Sequence, residues 1–207
     1  MEWQNHNIFP TAIGHFKFDR EMTESEISFV KDQKTYFNQF NLTSIDTYIL
    51  RQKELAEISS FCQAALQEYL EKIYAPKNKV ALQITQSWAN YTSKNQFHHK
   101  HNHPNSFVSG VFYFDCDEND SIDFSKSQYE QIKIYTKEST PLNCDTVSFR
   151  VLTGDLFLFP SSLDHMVPPV TSDRTRISIA FNSFPVGDIG YDNGLRGLRV
   201  AALESGA

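Results

Sequence analysis

The sequence predicts a mainly β protein, a barrel or sandwich with helices packed on one side. Three observations carry that expectation. Long runs of apolar residues at helical spacing precede about residue 78, and short strand-like runs separated by turn signals fill the chain from Lys79 to Phe184. The 17 Phe, 9 Tyr and 2 Trp among 207 residues supply enough apolar surface for a large core. The expected layout is one domain over 1–207: an N-terminal strand and helical buttress over 1–78, a β core over 79–184, and a C-terminal tail over 185–207.

Residues 8–18 read as an opening strand and turn, with Ile8, Phe16 and Phe18 among the apolar positions. Thr23-Glu24-Ser25-Glu26 has the spacing of a capping box, and Ile27, Phe29, Val30 and Phe37 continue at near-helical steps. Leu55, Ile58, Phe61, Cys62, Leu66, Tyr69, Leu70 and Ile73 mark a second helix over 51–74, which Pro76 and Asn78 end. Strands are expected at 80–91, 106–114, 122–124, 132–135, 146–151, 155–159 and 176–181. A polar turn lies at 115–120 and a loop at 125–129. Beyond Phe184 the chain reads as irregular, then helical at 198–203. No internal repeat or low-complexity tract is present.

Composition excludes several classes. With 19 Lys and Arg against 25 Asp and Glu, the net charge is −6, and no basic run offers a nucleic-acid grip. Cys62, Cys116 and Cys144 are odd in number and far apart, so no disulfide framework is expected and a reducing, cytoplasmic setting fits. The first residues lack the basic and apolar regions of a signal peptide, and no apolar run approaches the roughly 20 residues of a membrane helix.

Histidine usage is the sharpest feature. His98, His99, His101 and His103 are four of the seven histidines. Imidazole binds transition metals at neutral pH without first losing a proton. In an extended chain side chains two apart share a face, so His101 and His103 can reach one ion, with His99 on the same side and His98 pointing away. His165 lies in Leu163-Asp164-His165-Met166-Val167 and alone would read as a satisfied core histidine. Beside a pair at ligand spacing it becomes a third ligand, and three ligands on one face leave open positions as in non-haem Fe(II) oxygenases. Arg176 and Ser178 share a strand face and could together grip a carboxylate. Read singly, they are an ordinary surface strand. Arg174 sits in a polar turn and looks solvated, and His6 and His15 read as surface residues.

The ordered set is specific: Trp88-Ala89-Asn90-Tyr91, His101-x-His103-Pro104-Asn105-Ser106, Ser109-Gly110-Val111-Phe112-Tyr113, Gly154-Asp155-Leu156, Phe159-Pro160-Ser161-x-Leu163-x-His165, then Arg176-x-Ser178 and Phe181-Asn182. Over 87–184 it resembles the 2-oxoglutarate/Fe(II)-dependent oxygenase family and, more distantly, prolyl hydroxylases. The resemblance implies a double-stranded β-helix (jelly-roll) core and an Fe(II)/2-oxoglutarate-dependent dioxygenase that hydroxylates an unidentified substrate, releasing succinate and CO2. It matches His101 and His165 to metal ligands, Arg176 with Ser178 to the grip on the distal carboxylate of 2-oxoglutarate, and Tyr113 and Tyr91 to positions near that cosubstrate. Partners are then 2-oxoglutarate, O2 and the substrate, with a homodimer as a further expectation.

The departure is His103, where the family usually has Asp. Three solutions stay open: His103 as third ligand, a carboxylate from Asp115, Asp123 or Asp164, or water or chloride in its place. Two rival readings share the histidines: a cupin-like three-histidine dioxygenase or isomerase without 2-oxoglutarate, and a non-enzymatic module holding metal in a closed site.

Overall fold

A computed structural model describes residues 1–6, 8–126, 132, 134–191, 193 and 195–202. In chain order the elements are β1 (Gly14–Lys17), α1 (Glu24–Lys31), β2 (Thr35–Asn38), β3 (Asn41–Ser44), α2 (Ala56–Tyr69), β4 (Val80–Thr92), β5 (His98–His101), β6 (Val108–Asp115), β7 (Ser121–Ser125), β8 (Thr146–Arg150), β9 (Asp155–Pro160), β10 (Asp164–Val167), β11 (Arg176–Ile189) and β12 (Leu198–Val200). Two antiparallel sheets result. The larger runs β1-β9-β6-β11-β4-β3-β2, with β12 also on β11, and the smaller runs β5-β10-β7-β8. This is the jelly-roll core.

The larger sheet has two covered faces, which explains why its central strands read as continuous apolar runs rather than as alternation. One face packs on α2: Ile58, Cys62 and Leu66 bury against Ala89, Phe112, Leu156 and Phe181. The other faces the smaller sheet, where Val111, Phe124, Phe157, Phe159 and Ala180 form a second cluster. Each such side chain contributes roughly 1.5–3 kcal/mol on burial. Gly110 lies opposite Phe181 in the register of β6 on β11. A Cβ there would sit 2.1 Å from the Phe181 ring, so the aromatic residue demands the glycine.

The buttress begins as the capping box predicts: Thr23 Oγ1 accepts from the Glu26 N–H, and the Glu26 carboxylate accepts from the Thr23 N–H. Buried Glu26 also takes Arg20 in a two-pronged bond of 2.8 and 2.6 Å. That bond holds its carboxyl below the usual range. The helix ends at Lys31, earlier than expected. Phe37 belongs to a strand, because the aromatic run Tyr36-Phe37 pairs with 41–44 around a turn in which Gln39 has φ 58°. The second helix begins as short 3-10 turns at 49–55 and closes in a π-helical turn at Leu70–Tyr74.

Three other elements differ from expectation. The first strand is at 14–17, not before, because only there does the chain reach β9. The expected strand at 132–135 is not formed at 132, 134 and 135, where Ile132, Ile134 and Tyr135 are exposed; both edges of β7 are already taken by β10 and β8. Lys133 and the loop residues 127–129 lie outside the described residues. The tail is not helical over 198–202: β11 runs on to Ile189, and Leu198–Val200 pairs back on it. Residue 203 lies outside the described residues. Among the described residues no helix is long and apolar enough to cross a membrane.

Candidate metal centre

His101 closes β5 and His165 lies in β10, directly opposite it in register, with ring centroids 4.3 Å apart. His103 falls two residues beyond β5. Its N–H bonds to the Ser161 carbonyl at 2.8 Å, and the following turn uses Asn105 at φ 58° to return the chain to β6. Asn tolerates that left-handed conformation better than most residues. The rings of His103 and His165 lie 5.0 Å apart, and one ligand nitrogen from each of the three histidines falls within 4.8 Å of the others.

The Nδ1 atoms show which nitrogen each ring offers. That of His101 donates to the His99 carbonyl at 2.8 Å, that of His165 to the Leu163 carbonyl at 3.0 Å, and that of His103 to Asn182 Oδ1 at 2.5 Å. Each imidazole held this way keeps its lone pair on Nε2. The Nε2 atoms of His101 and His103 face each other at 3.2 Å. Two lone pairs so close repel unless a cation lies between them. Burial lowers the pKa of His101 to about 4 and of His165 to about 3, and lowers that of His103 as well, so all three are neutral at pH 7.

Asn182 was not anticipated, nor was Ser109. Ser109 Oγ lies 3.1 Å from both His103 Nδ1 and Asn182 Oδ1, and 2.8 Å from Ser161 Oγ. Ser161 donates on to Ser106 Oγ at 2.8 Å. The signal for Asn182 was available, since Arg176, Ser178, Ala180 and Asn182 follow the two-residue period of one strand face.

None of the three candidate carboxylates joins the cluster, which among the described residues contains histidines alone. Asp115 pairs with Arg174, and Asp164 accepts from Asn102 Nδ2 at 2.9 Å. Asp123 opposes Met166 and Ser148, on the alternate positions to Phe124, the residue paired with His165. Arg174 is thus ion-paired rather than merely solvated.

Arg176 opens β11 opposite Thr92 and is only 2% exposed. Its guanidinium lies 5.2 Å from the Tyr113 ring centroid. Its Nε and Nη2, with the Tyr113 hydroxyl, are buried without a hydrogen-bond partner among the described residues. Ser178 is paired with both Asn90 and Tyr113 and lines the same cavity, as do His101, His103 and His165. That cavity thus brings together a cation with unsatisfied donors and three nitrogen ligands. Buried donors left unpaired are costly, so they mark where an acceptor belongs.

Tyr91 must be reassigned. Its hydroxyl donates to the Val30 carbonyl at 2.5 Å, and its ring belongs to the cluster under α2. Trp88, Asn90 and Thr92 take the cavity face of β4, and an odd-numbered position on that strand points away from it. The expectation for His98 also fails: its ring stacks on His101 at 4.5 Å and 17° and lines the cavity. The ligand nitrogens of His99 group with those of His98 and His101 but not with His103 and His165.

Residues 86–182 match the model of a family described as "Putative 2OG-Fe(II) oxygenase". No curated protein matches the sequence significantly. Among solved structures, the carbocyclase SnoK from nogalamycin biosynthesis, described as non-heme and alpha-ketoglutarate-dependent, superposes with a TM-score of 0.60 at 13% identity, covering 94% of this chain and 89% of its own. A prolyl hydroxylase from Trichoplax adhaerens gives 0.58 at 12% identity, covering 83% of each chain. HygX from Streptomyces hygroscopicus, solved with nickel, 2-oxoglutarate and hygromycin B, gives 0.57 at 11% identity, covering 84% and 82%. At such identities these likenesses establish the fold.

Proposed function

We infer that this chain, a 2-oxoglutarate- and Fe(II)-dependent oxygenase by the family its residues 86–182 match, oxidises a C–H bond of an organic substrate, by hydroxylation, at a metal held by His101, His103 and His165. The observation that carries the ligand assignment is the convergence of three imidazoles whose Nδ1–H groups are each engaged by an oxygen. Residues 1–207 are taken as one functional domain, a reading supported by the packing of α2 on β4, β6 and β9.

The donor set fits both groups. Three nitrogen ligands on one face suit Fe(II) and leave positions open, and the orphaned nitrogens of Arg176 with the Tyr113 hydroxyl suit a carboxylate. When bound, Fe(II) and 2-oxoglutarate would supply the electrons that activate O2, the oxidant, with succinate and CO2 released. The chain does the rest. The carbonyls of His99 and Leu163 and the Asn182 amide fix ring orientation. Arg176 and Ser178 hold and orient the far carboxylate, while Val111, Ile122 and Ala180 keep the cavity wall apolar and limit water.

The substrate approaches through a second opening that shares Trp88, His98, His101 and His103 with this cavity. A groove of about 360 Å³ opens there, lined by Tyr36, Asn38, Thr43, Thr47 and Asn102 beside the histidines. Among the described residues no acidic, lysine or arginine side chain lines it, which favours an uncharged group presented to the metal. The cupin-like reading leaves the family match and the carboxylate-sized grip at Arg176 unexplained. A closed structural site takes four protein ligands, and the cluster of His101, His103 and His165 offers three among the described residues, which favours the open reading.

The test is anaerobic addition of 2-oxoglutarate to the Fe(II)-loaded protein. A weak visible charge-transfer band should appear, and admission of O2 should yield succinate. If neither appears and Arg176→Gln leaves 2-oxoglutarate binding unchanged, the assignment is wrong.

A further inference from the structure

His98 sits where alternation along a regular strand forbids it. Opposite β10, His101 pairs with His165 while His98 pairs with Val167, so three steps on β5 span two on its partner. The extra residue is a bulge, and a bulge reverses which side the following side chains take. His98 and His101 therefore face the same cavity, with their rings stacked. No hydrogen bond among the described residues engages the His98 ring nitrogens, and its ring packs on those of His99 and His101. The cavity wall also carries Arg176, Tyr113 and Ser178 and, among the described residues, no acidic side chain.

We propose that His98 is a cosubstrate-binding residue, donating its ring N–H to the carboxylate of 2-oxoglutarate at the metal end while Arg176 takes the far one. The proposal rests on the reading above. Stacking on His101, a ligand in that reading, places His98 beside the metal, on the wall of the cavity that Arg176 also lines. The chemistry suits the unusual ligand set. With three neutral imidazoles, no ligand offsets the charge of the ion, and Arg176 adds another positive charge. A lysine in this place would add a third; a neutral imidazole adds a hydrogen bond without further repulsion.

The experiment is calorimetric titration of Ni(II)-loaded protein with 2-oxoglutarate, with metal content measured on each preparation. His98→Phe keeps a ring to stack on His101 and removes the N–H; His98→Asn restores a donor. Affinity should fall about tenfold or more in His98→Phe and partly return in His98→Asn, with metal content unchanged. Arg176→Gln separates the two claims. If it weakens binding while His98→Phe stays within twofold of the parent, the role of His98 is refuted and the cosubstrate site stands. If neither substitution affects binding, the underlying assignment fails. Loss of metal from His98→Phe with normal 2-oxoglutarate affinity in the loaded fraction also refutes the proposal.

Discussion

Replacing Asn182 tests the metal centre at the one point where ring orientation is open to substitution. His101 and His165 are held by backbone carbonyls, which no side-chain change removes. His103 is held by the Asn182 amide oxygen at 2.5 Å, with Ser109 Oγ at 3.1 Å in reserve. In Asn182→Leu the serine can still accept from Nδ1, so the loss amounts to about one net hydrogen bond, roughly 1–1.5 kcal/mol or about tenfold in metal affinity. Adding Ser109→Ala removes the second acceptor and frees the ring to turn or change tautomer, and the loss should approach the roughly hundredfold end of such orienting effects. Asn182→Asp keeps the acceptor and adds a negative charge near the ion, so it should bind as tightly as the parent or tighter. The assay is competition for Zn(II) or Co(II) against a chromogenic chelator. Should the double variant bind within twofold of the parent while His103→Ala also binds normally, His103 is not a ligand and the three-histidine site is refuted.

Other expectations follow from single contacts. Tyr91→Phe should leave 2-oxoglutarate affinity unchanged yet cost about 1–3 kcal/mol in chemical denaturation, because the Val30 carbonyl loses its buried donor. A change in cosubstrate affinity would return Tyr91 to the cavity. Gly110→Ala should destabilise by about 3 kcal/mol, since its Cβ would lie 2.1 Å from the Phe181 ring and the aromatic cluster cannot yield that far. In the metal-free protein, the His165 pKa of about 3 lies below the unfolded value, so the unfolded chain takes up the proton first. Stability is then full above about pH 6.5 and lost as pH falls, by about 2 kcal/mol at pH 5 from this residue. Melts of metal-free protein between pH 7.5 and 5 should show the decline, and His165→Phe should make it shallower, with His101 and His103 still contributing in the same direction.

What could be read from the chain alone was periodic or local. The capping box at Thr23, the core face of α2 and the strands of the β core follow from residue spacing, and His101, His165, Arg176 and Ser178 stood out by residue type and order. Misreadings arose wherever pairing decided. Phe37 has helical spacing from Val30, but Tyr36 and Phe37 found a partner strand. The apolar residues at 132–135 look like a strand, but at 132, 134 and 135 the chain pairs with no sheet, and β7 already has β10 and β8 on its two edges.

The same division holds at the centre of the molecule. Sequence determined which chemistry was available: five imidazoles, a guanidinium and hydroxyls at two-residue steps, because side-chain identity and strand period are properties of the chain itself. Tertiary structure decided which of them meet. Register across β5 and β10 set His101 against His165 and, through one extra residue, swung His98 inward. The far face of β4 took Tyr91 away to Val30. Asn182, about 80 residues along the chain from His103, became its partner only because β11 passes beside β6. Such choices depend on which backbone atoms pair across a sheet, and one step of register reverses the face of every side chain beyond it.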